Sequence, residues 1–126
     1  MAKKIPDAVM DLALANIADN GETLYLCSDE PANYAGIAAV SLGSVALTEG
    51  DGNGDFTIAD GTTSGRKLTL AQQTVAGTAN GTATHAVIAD ETGELIKAIT
   101  TCSIAVLNGS NSIVDEYTVW EIRDPS

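Results

Sequence analysis

The sequence predicts a mainly β protein: an antiparallel β-sandwich or Greek-key barrel with one N-terminal α-helix, in a single domain spanning residues 1–126. Turn punctuation recurs beyond Gly50, at GDGNGD, DGTTSG, AGTANG, DETG and NGSN. The segments between these turns are short and rich in Thr, Val and Ile, as strands on a pleated, half-buried surface should be. A helical spacing of apolar residues stands out at one place, residues 6–19. A chain of 126 residues buries a core of its own as one domain without needing disulfides or a metal.

Taken in order, IPDAVMDLALANIAD places Val9, Met10, Ala13, Leu14 and Ile17 on one helical face, with Asp7 and Asp11 near the N-terminal end of the dipole. Asn20 and Gly21 read as the stop, because both tolerate the left-handed conformation that closes a helix. TLYLC, residues 23–27, alternates as a strand and is ended by SDEP. Residues 32–47 are Ala-rich and satisfy two templates, a loop followed by a strand or a short second helix. Residues 56–59 and 66–70 read as strands, Leu68 and Leu70 sharing a face. Residues 78–90 read as one long strand of unbroken period two, with Ala79, Gly81, Ala83, His85, Val87 and Ala89 on one side. The turn at Glu91 to Gly93 predicts a hairpin pairing residues 85–89 with residues 95–101. Residues 113–123 follow NGSN, with Tyr117 and Val119 opposite Trp120 and Ile122 if no bulge intervenes, so that the C-terminal half forms a meander or Greek key.

Six Lys and Arg against 17 Asp and Glu leave a formal net charge of −11. That charge repels phosphate backbones and anionic lipid surfaces, so neither nucleic acid nor membrane is expected as a direct partner. Aromatic residues make up only 4% of the chain, which makes the expected core thin and favours association with further copies or a larger scaffold. No signal peptide or bilayer-spanning apolar run is read in the sequence, so synthesis and assembly in a cytoplasm are expected. Cys27 and Cys102 form no C-x-x-C pattern and read as small buried hydrophobes, bridged only if their strands are neighbours.

The chemistry-bearing patterns each meet a plainer reading. EGDGNGDFTIADG offers Asp51, Asn53 and Asp55 at positions 1, 3 and 5 of an EF-hand loop. Position 6, where the sharp turn needs Gly, is Phe56, and position 12, where a bidentate Glu belongs, is Thr62. The stretch therefore reads as a solvated turn. His85 is the single histidine, with Asp90 or Glu91 as the only nearby orienters, and no nucleophile elbow accompanies it. Gly77 to Thr82 lacks the Gly-Lys-Ser/Thr ending of a phosphate loop and reads as a Thr-rich strand. Asn80 and Asn108 head glycosylation triplets that carry no meaning without secretion. Asp90, Glu91 and Glu94 read as a solvated acidic tip. Arg66 and Lys67 read either as partners for carboxylates across a subunit contact or as decoration of an edge strand. No catalytic, cofactor-binding or metal-binding residue is assigned, and no cofactor is expected.

Several stretches together, IPDAVMDLALANIADNGETLYLCSDEPANYAGI, SGRKLTL, GTATHAVIADETGELI, TTCS and WEIRDP, resemble a family of small proteins encoded among the head and tail structural genes of tailed bacteriophages. The resemblance covers nearly the whole chain and rests on structural rather than chemical motifs. It implies a virion component without enzyme activity, with the major capsid protein or other virion proteins as partners and self-association into a homo-oligomer. Within that context the negative charge disfavours the inner capsid wall and directs the expectation to a decoration or cement role on the outer head. A tail, neck or fibre component is the alternative, as is a glycan-binding module using Trp120, Tyr117, Tyr25 and Tyr34. Residues 2–8 are a candidate arm for strand addition to a neighbour.

Overall fold

The computed structural model describes residues 4–125. Pro6, pre-set at φ −56°, opens helix α1, Asp7–Asn20. Met10, Leu14, Ile17 and Ala18 form its buried stripe. Val9 and Ala13, expected on that stripe, lie outside it with Leu12, so the helix is apolar on two faces and buries one. Gly21 ends the helix in an extended conformation, φ −76° and ψ 94°, rather than the left-handed one expected. The position demands glycine for space: a Cβ there would sit 2.8 Å from the Phe56 ring, 2.9 Å from the Ile17 carbonyl and 3.0 Å from Ile88 Cγ2.

Strand β1, Thr23–Cys27, matches its predicted limits. The ambiguous Ala-rich stretch is both of the things it resembled, in succession. A 3₁₀ turn at Tyr34–Gly36 leads into a single helical turn, α2 (Ile37–Val40), and then strand β2 (Ser41–Ala46). Strands β3 (Phe56–Asp60), β4 (Arg66–Leu70), β5 (Gln73–Gly77), β6 (Gly81–Asp90), β7 (Leu95–Val106), β8 (Asn111–Val114) and β9 (Tyr117–Ile122) complete the chain.

These strands form two antiparallel sheets, a six-stranded one in the order β7-β6-β1-β2-β5-β8 and a three-stranded one in the order β3-β4-β9. The predicted hairpin holds, with His85 opposite Thr101 and Ala89 opposite Ile96. The C-terminal half is not a meander. Asp115 and Glu116 interrupt the expected last strand, sending β8 to pair with β5 and β9 with β4 in the other sheet. The six-stranded sheet curls until β8 comes beside the far end of β7, where Ser112 Oγ donates to the Ala105 carbonyl at 3.0 Å.

The ladders shift register at Leu26–Cys27 and Ile88–Ala89, and two further shifts defeat the expected period in β6 and β9. The predicted strand 78–90 begins only at Gly81, and the β6–β7 register shifts between Ala83 and His85. Ala83, Ala86 and Ile88 consequently share the main core, whereas Val87 and Ala89 pack with Cys27 and Ile37 on the other face. A second shift, opposite Leu68 and Thr69, breaks the alternation in β9, so Tyr117, Val119 and Ile122 all pack against the main core. That core joins α1 to both sheets through Leu14, Leu24, Leu26, Phe56, Leu68 and Leu70.

The packing account of Gly21 separates from the helix-stop account by substitution. Gly21→Ala should lower stability by about 1–3 kcal/mol through overpacking, although its backbone angles suit alanine. A urea midpoint shift at unchanged slope measures it, and a neutral or stabilising result would contradict the account.

Candidate functional site

The loop between β2 and β3 carries the acidic residues that suggested a cation, and it uses them on the backbone. Asp51 Oδ1 accepts the Ile58 amide at 2.8 Å, and Asp55 accepts the Thr48 amide at 2.6 Å and Gln73 Nε2 at 3.0 Å. Asn53 Nδ2 donates to the Glu49 carbonyl at 2.8 Å. Gly50, Gly52 and Gly54 supply the positive φ values that fold the loop back on itself. Asp51 thereby caps the outer edge of β3. The reading as a turn holds, with the carboxylates bound into the structure rather than merely solvated.

The acidic turn after β6 is also more structured than a solvated tip. Asp90 is buried, and its Oδ1 accepts the Gly93 amide at 2.8 Å. Glu91 receives the hydroxyls of Tyr25 and Tyr34, one on each carboxylate oxygen. Burial raises the Glu91 carboxyl, but the hydrogen bonds from Tyr25, Tyr34 and Thr23 together outweigh it and hold the group below the ordinary glutamate value. The Tyr34 phenol is pushed up to about 12, first by its bond to Glu91 and then by burial. This clasp ties the 3₁₀ turn to β1 and to the β6–β7 hairpin.

Arg66 is engaged within its own chain. Its Nε lies 2.8 Å from Asp11 Oδ1 of α1 and its Nη1 2.8 Å from Asp60 Oδ1 of β3. Its strand, β4, is the centre of the three-stranded sheet rather than an edge. His85 Nδ1 lies 2.8 Å from Thr84 Oγ1, a neighbour on the same strand. Cys27 on β1 and Cys102 on β7 are free thiols with β6 between them, about two strand spacings or 9.5 Å apart, beyond disulfide reach. Burial pushes the Cys27 thiol up to about 11. Gly77 to Thr82 is the turn between β5 and β6 and opens a strand, not a helix. Among the described residues no three or more His, Cys, Asp or Glu gather as metal ligands, and no helix is long and apolar enough to cross a membrane.

One surface feature is a groove of about 760 Å³ floored by α1 and walled by β7 and β9, and another of about 650 Å³ lies between the 3₁₀ turn and the start of β7. The first is lined from three elements. Leu12, Ala13, Asn16 and Ile17 come from the helix, Lys97, Ala98 and Ile99 from β7, and Val119 and Trp120 from β9. Leu12 is 73% exposed and Trp120, the single tryptophan, 48%; Val9, one helical turn before Ala13, is 54% exposed. Sequence reasoning singled out Trp120 and missed Leu12. The signal for Leu12 was present, since α1 carries more apolar residues than one stripe can bury. Of the four candidate glycan-stacking rings, Trp120 lines this groove, Tyr117 is largely buried, and Tyr25 and Tyr34 are turned to Glu91.

No protein-family model, curated protein or solved structure matches this chain.

Two measurements test the local chemistry. If the carboxylates of the β2–β3 loop are committed to amides, millimolar Ca²⁺ should leave the melting temperature unchanged, whereas Asp51→Ala should cost about 1 kcal/mol by uncapping Ile58. A calcium-dependent rise in melting temperature would overturn that reading. The Glu91 clasp should act at both ends of the pH range. A carboxyl held below its ordinary 4.5 contributes stability that is present above that value and lost as pH falls through the folded pKa. A phenol raised from 10.0 contributes stability that is present below 10 and lost as pH rises toward 12. Glu91→Gln should therefore flatten the acid limb of a urea-midpoint profile measured from pH 3 to 7, and cost about 1–2 kcal/mol at neutral pH.

Proposed function

We propose that this protein is a non-enzymatic structural component of a bacteriophage virion, a decoration protein on the outer head that stabilises the shell by protein–protein contact. The carrying observation is the exposed apolar face of Val9, Leu12 and Trp120 beside the α1–β7–β9 groove, on a body of net charge −11. Exposed apolar side chains beside an apolar-lined groove on a strongly charged domain favour contact with another protein, because leaving them in water is unfavourable. The charge favours a surface away from packaged DNA. The virion setting is suggested by the resemblance of the sequence stretches quoted above to phage head and tail proteins.

A tail, neck or fibre component remains the alternative and differs in copy number rather than in surface chemistry. The glycan-binding reading is less well supported, because the groove offers one aromatic ring for stacking. Leu12→Asp and Trp120→Ala should fold normally and reduce incorporation into purified virions about tenfold each, counted by quantitative gel and electron microscopy. Hundreds of copies of the unaltered protein on the shell fit decoration. A handful at one vertex would transfer the assignment to neck or tail, and undiminished incorporation of both variants would remove this face from the contact.

A further inference from the structure

Beyond the α1–β7–β9 groove, a second depression, about 230 Å³, lies further along the same strand and is lined by Ala86 of β6, Thr100, Thr101, Cys102 and Ile104 of β7, Ile113 and Val114 of β8, Asp115 and Tyr117. The two together follow residues 97–104 of β7, about 26 Å of extended chain. Among the described residues β7 pairs only with β6 and β9 only with β4, so each turns an unladdered edge toward the cleft. Register shifts bound the regular part of β7 to residues 98–101, which limits new pairing to a short run of fixed register and protects the long edge from indiscriminate aggregation.

The lining chemistry specifies an occupant. Leu12, Ile99, Val119, Trp120, Ile104 and Ile113 supply apolar walls, Ile113 being 49% exposed. Tyr117 lines the second depression, and Thr100 stands beside its buried hydroxyl. The ends differ in charge. Lys97, bonded to Asn16 Oδ1 at 3.0 Å, stands at one end, and Asp115 followed by Glu116 at the other. A second copy would bring a further −11, whereas a basic segment is attracted.

We infer that the β7–β9 cleft seats an extended segment of a partner protein by strand addition, apolar at alternate positions and carrying Lys or Arg at the end that lies over Asp115 and Glu116. This deepens the virion-contact reading by naming the chemistry of the partner, and it rests on that reading for its biological setting. Main-chain pairing supplies affinity in such a mode, and the alternate pockets and end charge supply selection.

Trp120 reports occupancy directly. The probes are the capped octapeptide Lys-Val-Thr-Val-Thr-Val-Thr-Val and its reversed sequence, each also made with Glu in place of Lys and with N-methylated valines. One Lys probe should blue-shift Trp120 emission with a dissociation constant of about 0.1 mM or tighter at low salt. N-methylation should weaken it about tenfold or more. The double variant Asp115→Lys, Glu116→Lys should reverse the preference from the Lys probe to the Glu probe. The inference is overturned by any of three results: no shift with either Lys probe at about 1 mM, equal binding of the N-methylated probe, or a concentration-dependent shift without peptide, which would assign the cleft to a second copy. If the probes fail while the Leu12 and Trp120 variants still leave the virion, the cleft inference falls and the proposed function stands. Probe binding with undiminished incorporation has the opposite meaning.

Discussion

The arrangement of two sheets depends on one contact, the ring of Phe56 lying against the bare backbone of Gly21. Phe56 is the single phenylalanine of an aromatic-poor chain and is fully buried. It enters at the start of β3, in the small sheet, and meets Ile88 of β6, in the large one, at the point where α1 gives way to β1. Removing such a ring leaves a cavity worth about 3–5 kcal/mol. Against a typical total of about 5–15 kcal/mol, that is a large share for one side chain. Other cross-links between the elements are smaller. The Arg66 guanidinium joins α1 to β3 and β4, but Asp60 is largely exposed, so solvent screening leaves that half of the pair a modest contribution.

Fixing the small sheet against the large one also creates the unfilled space. A curled six-stranded sheet has two ends, and here they meet at Ser112 and Ala105 without forming a ladder. Among the described residues the three-stranded sheet covers the core but pairs with neither end of the large sheet, so the edges of β7 and β9 face a common cleft over α1. Full closure would remove those edges. The groove is thus a consequence of covering one sheet with a smaller sheet and a helix, and the exposed Leu12 and Trp120 lie where that covering stops.

What was legible in the sequence was local. The limits of β1 follow from five alternating residues and a proline-ended turn, and the β6–β7 hairpin follows from the turn Glu91 to Glu94, which the left-handed Glu94 completes. The strand order was not legible, because β8 next to β5 and β9 next to β4 are pairings across long stretches of chain that no period encodes. The shifts at Ala83–His85 and opposite Leu68–Thr69 move whole faces by one residue, so Ala83 and Val87, grouped by period, belong to different clusters. Gly21 carried the right letter for a different reason. Of the groove, Trp120 was visible as a rare aromatic and Leu12 only as an excess of apolar residues on α1.

The charge and the cleft have to be considered together. A net charge of −11 sets up a long-range repulsion between copies that opposes the apolar attraction of exposed Leu12, Trp120 and Ile113, most strongly at low salt. That same field attracts a basic partner and loses reach as ionic strength rises, because charges more than about 8 Å apart are screened at physiological salt. Apolar burial is not screened. For the basic segment proposed above, encounter would be governed by the acidic surface and persistence by the apolar cleft, so raising salt should slow association far more than it speeds dissociation. Asp51, Asp55 and Asp90 contribute to the first effect through their charge while also accepting backbone amides that hold the loops. Asp115 and Glu116 are differently placed. They sit at the break that sends β9 to the second sheet, so the residues that separate the two sheets also give the cleft its negative end.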